Sequence, residues 1–160
     1  MHEEALIGWR LTALAFCGFI IVTTEFSVVA LVPMMANGMN ITVTKAGSLM
    51  GWFAIAAAVV GPFVTVACGR LDRWRFIIGA TILFVIGNLA IALFASYSVA
   101  IWVRVIQGCL LPAIIANVMV SAKQSVAPSR SGWAITRANT GVAVATVVGI
   151  PALSWISNIS

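Results

Sequence analysis

Two full charges, Glu25 and Arg104, interrupt apolar runs that are long enough to cross a bilayer. A charged side chain near the middle of a membrane helix costs at least ~2.5–3.5 kcal/mol, so such residues are read first as functional. Both lie in the outer half, though not level. Glu25 lies about ten residues, or ~15 Å, before the outer end of its run, and Arg104 about five residues, or ~8 Å, after the outer start of its own. The expectation is one water-accessible cavity in which Glu25 exchanges a proton and Arg104 sets how readily it does so. The alternative is a static ion pair that holds two helices together. Gln107, three residues after Arg104, shares its helix face. Gly108 then permits close backbone approach, and Pro112 frees a carbonyl in mid-run.

Other residues read more readily as packing. Asn88 and Asn117 are expected to join helices through their amides, with cavity lining as the second reading. Gly47 and Gly51 form a GxxxG pair, and Gly141, Ala145 and Gly149 recur every fourth residue. Such stripes let helices approach closely. Pro151, just past the second stripe, marks a kink, because proline removes a helical hydrogen bond. Static packing and a flexing point are both open for this stripe. Cys17, Cys68 and Cys109 show neither metal spacing nor a disulfide pattern and read as small membrane-core residues. No metal or cofactor is expected.

The elements that must carry these residues follow from composition. Of 160 residues, 62% are hydrophobic and 8% charged, against roughly 25% charged in a soluble domain. A small soluble domain leaves much of its surface in water and could not hide so much apolar area. The reading is an all-α integral membrane protein with five spans near 9–35, 46–68, 76–95, 99–120 and 132–156, each about the ~20 residues that a spanning helix needs. Isolated strands would leave backbone groups unpaired in lipid, and the alternating segments of a β-barrel are absent. The N-terminus has two acids and too long an apolar run for a signal peptide, so the first span is expected to be retained.

Charge distribution gives orientation. Arg10, Arg70, Arg73, Arg75, Lys123, Arg130 and Arg137 lie on one set of loops and span ends, whereas the opposite set carries only Lys45. The positive-inside rule places the N-terminus in the cytoplasm, with Trp9, Trp74 and Trp133 near the inner ends and Trp102 and Trp155 near the outer ends. The net charge of +5 is spread between apolar spans and forms no stripe, which argues against nucleic acid. His2 is the only histidine, and no nucleophile–base pair or phosphate loop appears, so an enzyme is not expected.

Four local patterns resemble the N-terminal half of a major facilitator superfamily transporter, and within it the drug:proton antiporter and arabinose-type sugar-efflux branch. Span one reads Thr23-Thr24-Glu25-Phe26 followed by Leu31-Val32-Pro33. Span four reads Arg104-Val-Ile-Gln107-Gly108, which matches R-x-x-Q-G, the most specific of the four. The stripe ending in Gly149-Ile150-Pro151 resembles the antiporter motif of the fifth helix, with Ile150 separating the usual Gly-Pro pair. The segment holding Arg70, Asp72, Arg73 and Arg75 resembles the signature loop between helices two and three, although Gly69 stands where an acid belongs and Asp72 where a glycine does. The resemblance covers about residues 11–155.

It implies five transmembrane helices corresponding to helices 1–5 of a six-helix half, paired with a second half around a mid-membrane site. It further implies inner-membrane localisation and export of small molecules such as sugars, nucleosides or drugs against protons. Glu25 matches a membrane acid used in substrate or proton binding, and Arg104 an arginine that assists proton coupling. The expected partners are the lipid bilayer, protons, a small-molecule substrate, and a missing C-terminal half or a second chain. The chain ends after the fifth span, which predicts a truncated or partial transporter. The competing reading is a non-transporting membrane remnant or helix-binding scaffold.

Overall fold

The chain runs to long apolar segments separated by short polar turns, and several of these start or stop a helix by an identifiable device. In the computed structural model, which describes residues 2–149, 151, 152 and 155, all regular elements are helical. They are α1 (His2–Gly38), α2 (Val43–Val59), α3 (Gly61–Cys68), α4 (Arg73–Phe94), α5 (Tyr97–Gln124) and α6 (Ser131–Val144). A 3-10 turn at Pro128–Arg130 precedes α6, and a π-helical turn at Ala145–Gly149 continues it.

The caps follow their chemistry. The Thr42 side chain accepts from the Lys45 amide at 3.2 Å to start α2, and Asp72 Oδ1 accepts from the Arg75 amide at 2.9 Å to start α4. Each satisfies an N-terminal donor that the helix itself leaves unpaired. Asn40 and Ala95 take left-handed φ of 52° and 43° at the turns after α1 and α4. Helix α1 runs on to Gly38, a few residues past the expected end of the first span at 35.

The stretch read as one span at 46–68 is instead two helices, α2 and α3, bent by 51° at their junction. Pro62 at the start of α3 is the cause. It has no amide hydrogen to donate, and its ring displaces the carbonyl four residues earlier. The bend packs against a second proline: a Cβ added at Gly61 would meet Pro112 Cγ of α5 at 2.5 Å.

Helix α5 is the hub and buries Ala100, Arg104, Gln107, Gly108, Ala113, Ile114, Asn117, Val118, Ser121 and Ala122. One apolar cluster joins Leu11, Leu14 and Ile21 of α1 to Ile77 and Phe84 of α4, Ile114 and Val118 of α5, and Ala134 and Ala138 of α6. A smaller one joins Leu49, Ile91 and Ala100 at the other end. The outer surface is apolar too, with Trp9, Phe63, Val66, Leu93 and Val147 all exposed. Apolar residues both inside and outside are the signature of a helix bundle solvated by lipid.

This is an all-α membrane fold. Three helical stretches, Leu6–Phe26, Arg73–Phe94 and Tyr97–Gln124, are long and apolar enough to cross a membrane, and the bent pair α2–α3 makes a fourth. The expected fifth span, 132–156, falls on α6 and the π turn and then largely outside the described residues. A count of five is thus not reached among them.

Candidate functional site

Glu25 projects from α1 and Arg104 from α5, and both line a cavity of about 480 Å³. The other walls are apolar: Phe26 and Val28 of α1, Met50, Phe53 and Ala57 of α2, and Leu111 of α5. No direct ion pair joins the two charges among the described residues, yet each lies within electrostatic reach of the other. Two residues separated by almost eighty positions thus meet at one space, set there by how α1 and α5 pack around α2.

Gly108 fixes the packing of α5 on α2. A Cβ at this position would overlap the Phe53 carbonyl oxygen, so only glycine allows the two backbones to come so close. Gly87 of α4 makes room for side chains on another side of α5, where an added Cβ would lie 2.7 Å from Val103 Cγ1 and 3.2 Å from Gln107 Nε2. Held between these approaches, Arg104 is 3% exposed and Gln107 1%. Gln107 Nε2 donates to the Phe84 carbonyl across the α4–α5 interface at 3.4 Å. Its Oε1 and Arg104 Nε are buried with no hydrogen-bond partner. Buried polar atoms of this kind are costly unless something else fills the need. Arg104, with its open donor, lines the cavity, whereas Gln107, one turn away, is not among the lining residues and is packed against α4.

The expected role of Asn88 and Asn117 as links between helices is not what the structure has. Asn88 Nδ2 donates to Phe84 O at 2.9 Å and Asn117 Nδ2 to Ala113 O at 2.8 Å, each within its own helix. A short amide in lipid reaches the carbonyl one turn back more easily than a neighbour across the interface. The cross-helix amide is Gln107, whose longer side chain spans the gap.

The stripe Gly141, Ala145 and Gly149 seats α6 and the π turn on α1. A Cβ on Gly141 would overlap the Ala15 carbonyl oxygen, and one on Gly149 would come within 3.0 Å of Thr23 Oγ1. Ala145 is fully buried. The winding changes to π before Pro151, where proline would otherwise oppose the α-helical carbonyl. By contrast, Gly47 and Gly51 have nothing within 4 Å, so this GxxxG pair joins no helix within the described chain.

The signature-loop residues stand away from the cavity. Asp72 caps α4, the Arg73 guanidinium donates to Gln124 Oε1 at the end of α5, and Arg70 and Arg75 are exposed. Two further interfacial groupings are visible. Lys45 lies 4.8 Å from the Tyr97 ring centroid, with the Tyr97 hydroxyl 2.7 Å from Ser48 Oγ. Arg130 and Arg137 lie 5.0 and 5.5 Å from the Trp133 ring.

Sequence reasoning did not single out the α2 wall of the cavity, Met50 and Phe53, although their spacing of three puts both on one helix face. Thr23 was read only as part of the Thr23-Thr24-Glu25-Phe26 pattern, and its hydroxyl is buried without a partner two residues before Glu25.

A helical membrane bundle that encloses opposite charges in an apolar cavity is the architecture of a membrane transporter. The Major Facilitator Superfamily model matches residues 14–160, and the chain belongs to that family. It is 30% identical over 146 residues to the MFS-type transporter YfhI of Bacillus subtilis, a match covering 91% of this chain and 37% of that protein. It is 28% identical over 150 residues to the inner membrane transport protein YdhP of Escherichia coli, covering 94% and 39%. It is 30% identical over 154 residues to a chloramphenicol efflux pump of Mycobacterium tuberculosis, covering 94% and 37%. The chain spans about two fifths of the length of these relatives. The family consists of transporters, not enzymes, and multi-pass membrane localisation follows from it together with the apolar helices.

Proposed function

We propose that the chain supplies the N-terminal helices of a proton-coupled exporter of small molecules, with Glu25 as the proton-exchanging carboxyl. The observation that carries this reading is that Glu25 and Arg104 face one largely apolar cavity without forming a direct pair. A carboxyl in such a place is neutral when cut off from water and ionised when water or the guanidinium can reach it. Opening the cavity to opposite sides in turn therefore loads and releases a proton. Arg104 favours release, and Gln107, tied to Phe84, holds the helix face on which Arg104 stands.

Export, and not uptake, is supported by the similarity to a chloramphenicol efflux pump and to a probable sugar efflux transporter of Haemophilus influenzae. The apolar walls suit small molecules with apolar surface. In this reading the N-terminus is cytoplasmic, and the site is completed by a second half or second chain that rocks against this one.

The test is Glu25→Gln in the complete transporter, assayed in proteoliposomes for substrate-linked proton movement. The expected result is loss of proton-coupled export with unchanged protein level. Unchanged coupling would rule out the role of Glu25. A second reading, a membrane scaffold that binds a partner helix, is favoured by one observation, the open Gly47–Gly51 face. It predicts that Glu25→Gln is silent, whereas a bulky residue at Gly51 abolishes partner binding.

A further inference from the structure

Arg104 borders two cavities, and the proposed proton chemistry uses only one. On its other side lies a second cavity of about 390 Å³ between the end of α1, the end of α4 and α5. Its walls include Leu31, Met34 and Met35 of α1, Met39 just beyond it, and Ile91 and Ala92 of α4. A volume of this order holds a small molecule. Methionine side chains are flexible and polarisable, so they fit chains of varied shape. The polar residues at the wall are Asn88, whose amide nitrogen is already given to Phe84 O, and Arg104. Arg104 is 3% exposed, and its Nε has no partner. A buried cation with an unused donor at the end of an apolar chamber is complementary to a negatively charged acceptor on an apolar tail.

We propose that this methionine-lined cavity is a second ligand site, taking a free medium-chain carboxylate with its tail among Met34, Met35 and Met39 and its head on Arg104. The site is built from α1, α4 and α5 alone, so it is complete within this chain. Because the same guanidinium faces Glu25, an occupant would compete with Glu25 for it. That consequence rests on the proton-coupling reading, whereas the site itself does not.

The chain carries its own reporters. It has six methionines: three line this cavity, Met50 lines the Glu25 cavity, and Met119 lines a third, apolar one between α1, α5 and α6. With methyl-¹³C methionine and the chain in nanodiscs of zwitterionic lipid, octanoate is expected to shift Met34, Met35 and Met39 saturably and to leave Met119 in place. Octanol and octyltrimethylammonium are expected to bind about tenfold more weakly or less, since a hydrogen bond to a charged group is worth that much. Ala92→Trp, which puts a bulky ring into the cavity from α4, is expected to abolish the octanoate shifts while Met50 and Met119 keep their positions. Equal shifts at all reporters, equal binding of the three probes, or undiminished octanoate binding by Ala92→Trp would each overturn the proposal. Octanoate binding is expected to survive Glu25→Gln, so a failed proton-coupling role and a failed carboxylate site give different results.

Discussion

The α1–α6 seam and the Glu25–Arg104 cavity are both lined by α1, yet they treat space in opposite ways. Along the seam, Gly141 and Gly149 bring α6 and the π turn so near that a methyl group at Gly141 has no room beside Ala15. At the cavity, Arg104 Nε is left without a partner and a volume of about 480 Å³ stays open. The difference shows that tight glycine seams hold the frame so that the polar groups need not. In lipid there is little hydrophobic drive between helices, so close packing has to supply the association. A buried charge can then stand unpaired without the bundle collapsing around it.

Four substitutions test this contrast. The largest effect is expected at the seam. Gly141→Leu must push α6 away from α1, and overpacking of this kind costs about 1–3 kcal/mol or more. Folded yield and thermal denaturation in detergent should both fall sharply. A normal melting curve would mean that the seam is not close-packed. Gly108→Ala comes next, at about 1–3 kcal/mol on the same reasoning. It should also widen the α2–α5 approach and change the accessibility of a cysteine placed at Met50, which thiol labelling reads directly.

On the cavity side the expectation reverses. Gln107→Leu removes one 3.4 Å hydrogen bond together with an unsatisfied oxygen, and the Phe84 carbonyl keeps its bond from Asn88 Nδ2, so no buried partner is stranded. Stability should move by less than about 1 kcal/mol, while proton-coupled transport by the complete protein falls. A large loss of stability would make Gln107 part of the frame. The smallest effect is expected for Gly47→Ala. Nothing lies within 4 Å of Gly47, so helix propensity alone should stabilise by about 0.5–1 kcal/mol. Impaired assembly would show that another helix covers this face.

Much of the frame was legible because lipid makes strict demands on a sequence. Apolar run length identified a helical membrane protein, whereas the cap that Asp72 makes for α4 emerged only from the structure. Pro62 was visible, but the hydropathy of 46–68 is so even that the break between α2 and α3 was hidden in it. The two glycine stripes read alike in one dimension, and only one of them meets another helix. Asn88 and Asn117 show the same limit, because an amide can turn to its own helix or to its neighbour at no cost that the sequence records.

What the sequence determined by itself is the kind of protein: apolar runs that only a bilayer can solvate, two charges that lipid would otherwise exclude, and the R-x-x-Q-G pattern at Arg104. Tertiary structure decided which of these residues share a space. Glu25 and Arg104 meet because α1 and α5 both pack on α2, and Arg104 stands at a second cavity because α4 packs on its other side. Hydropathy is summed along one helix at a time, whereas a cavity is what several helices leave unfilled between them.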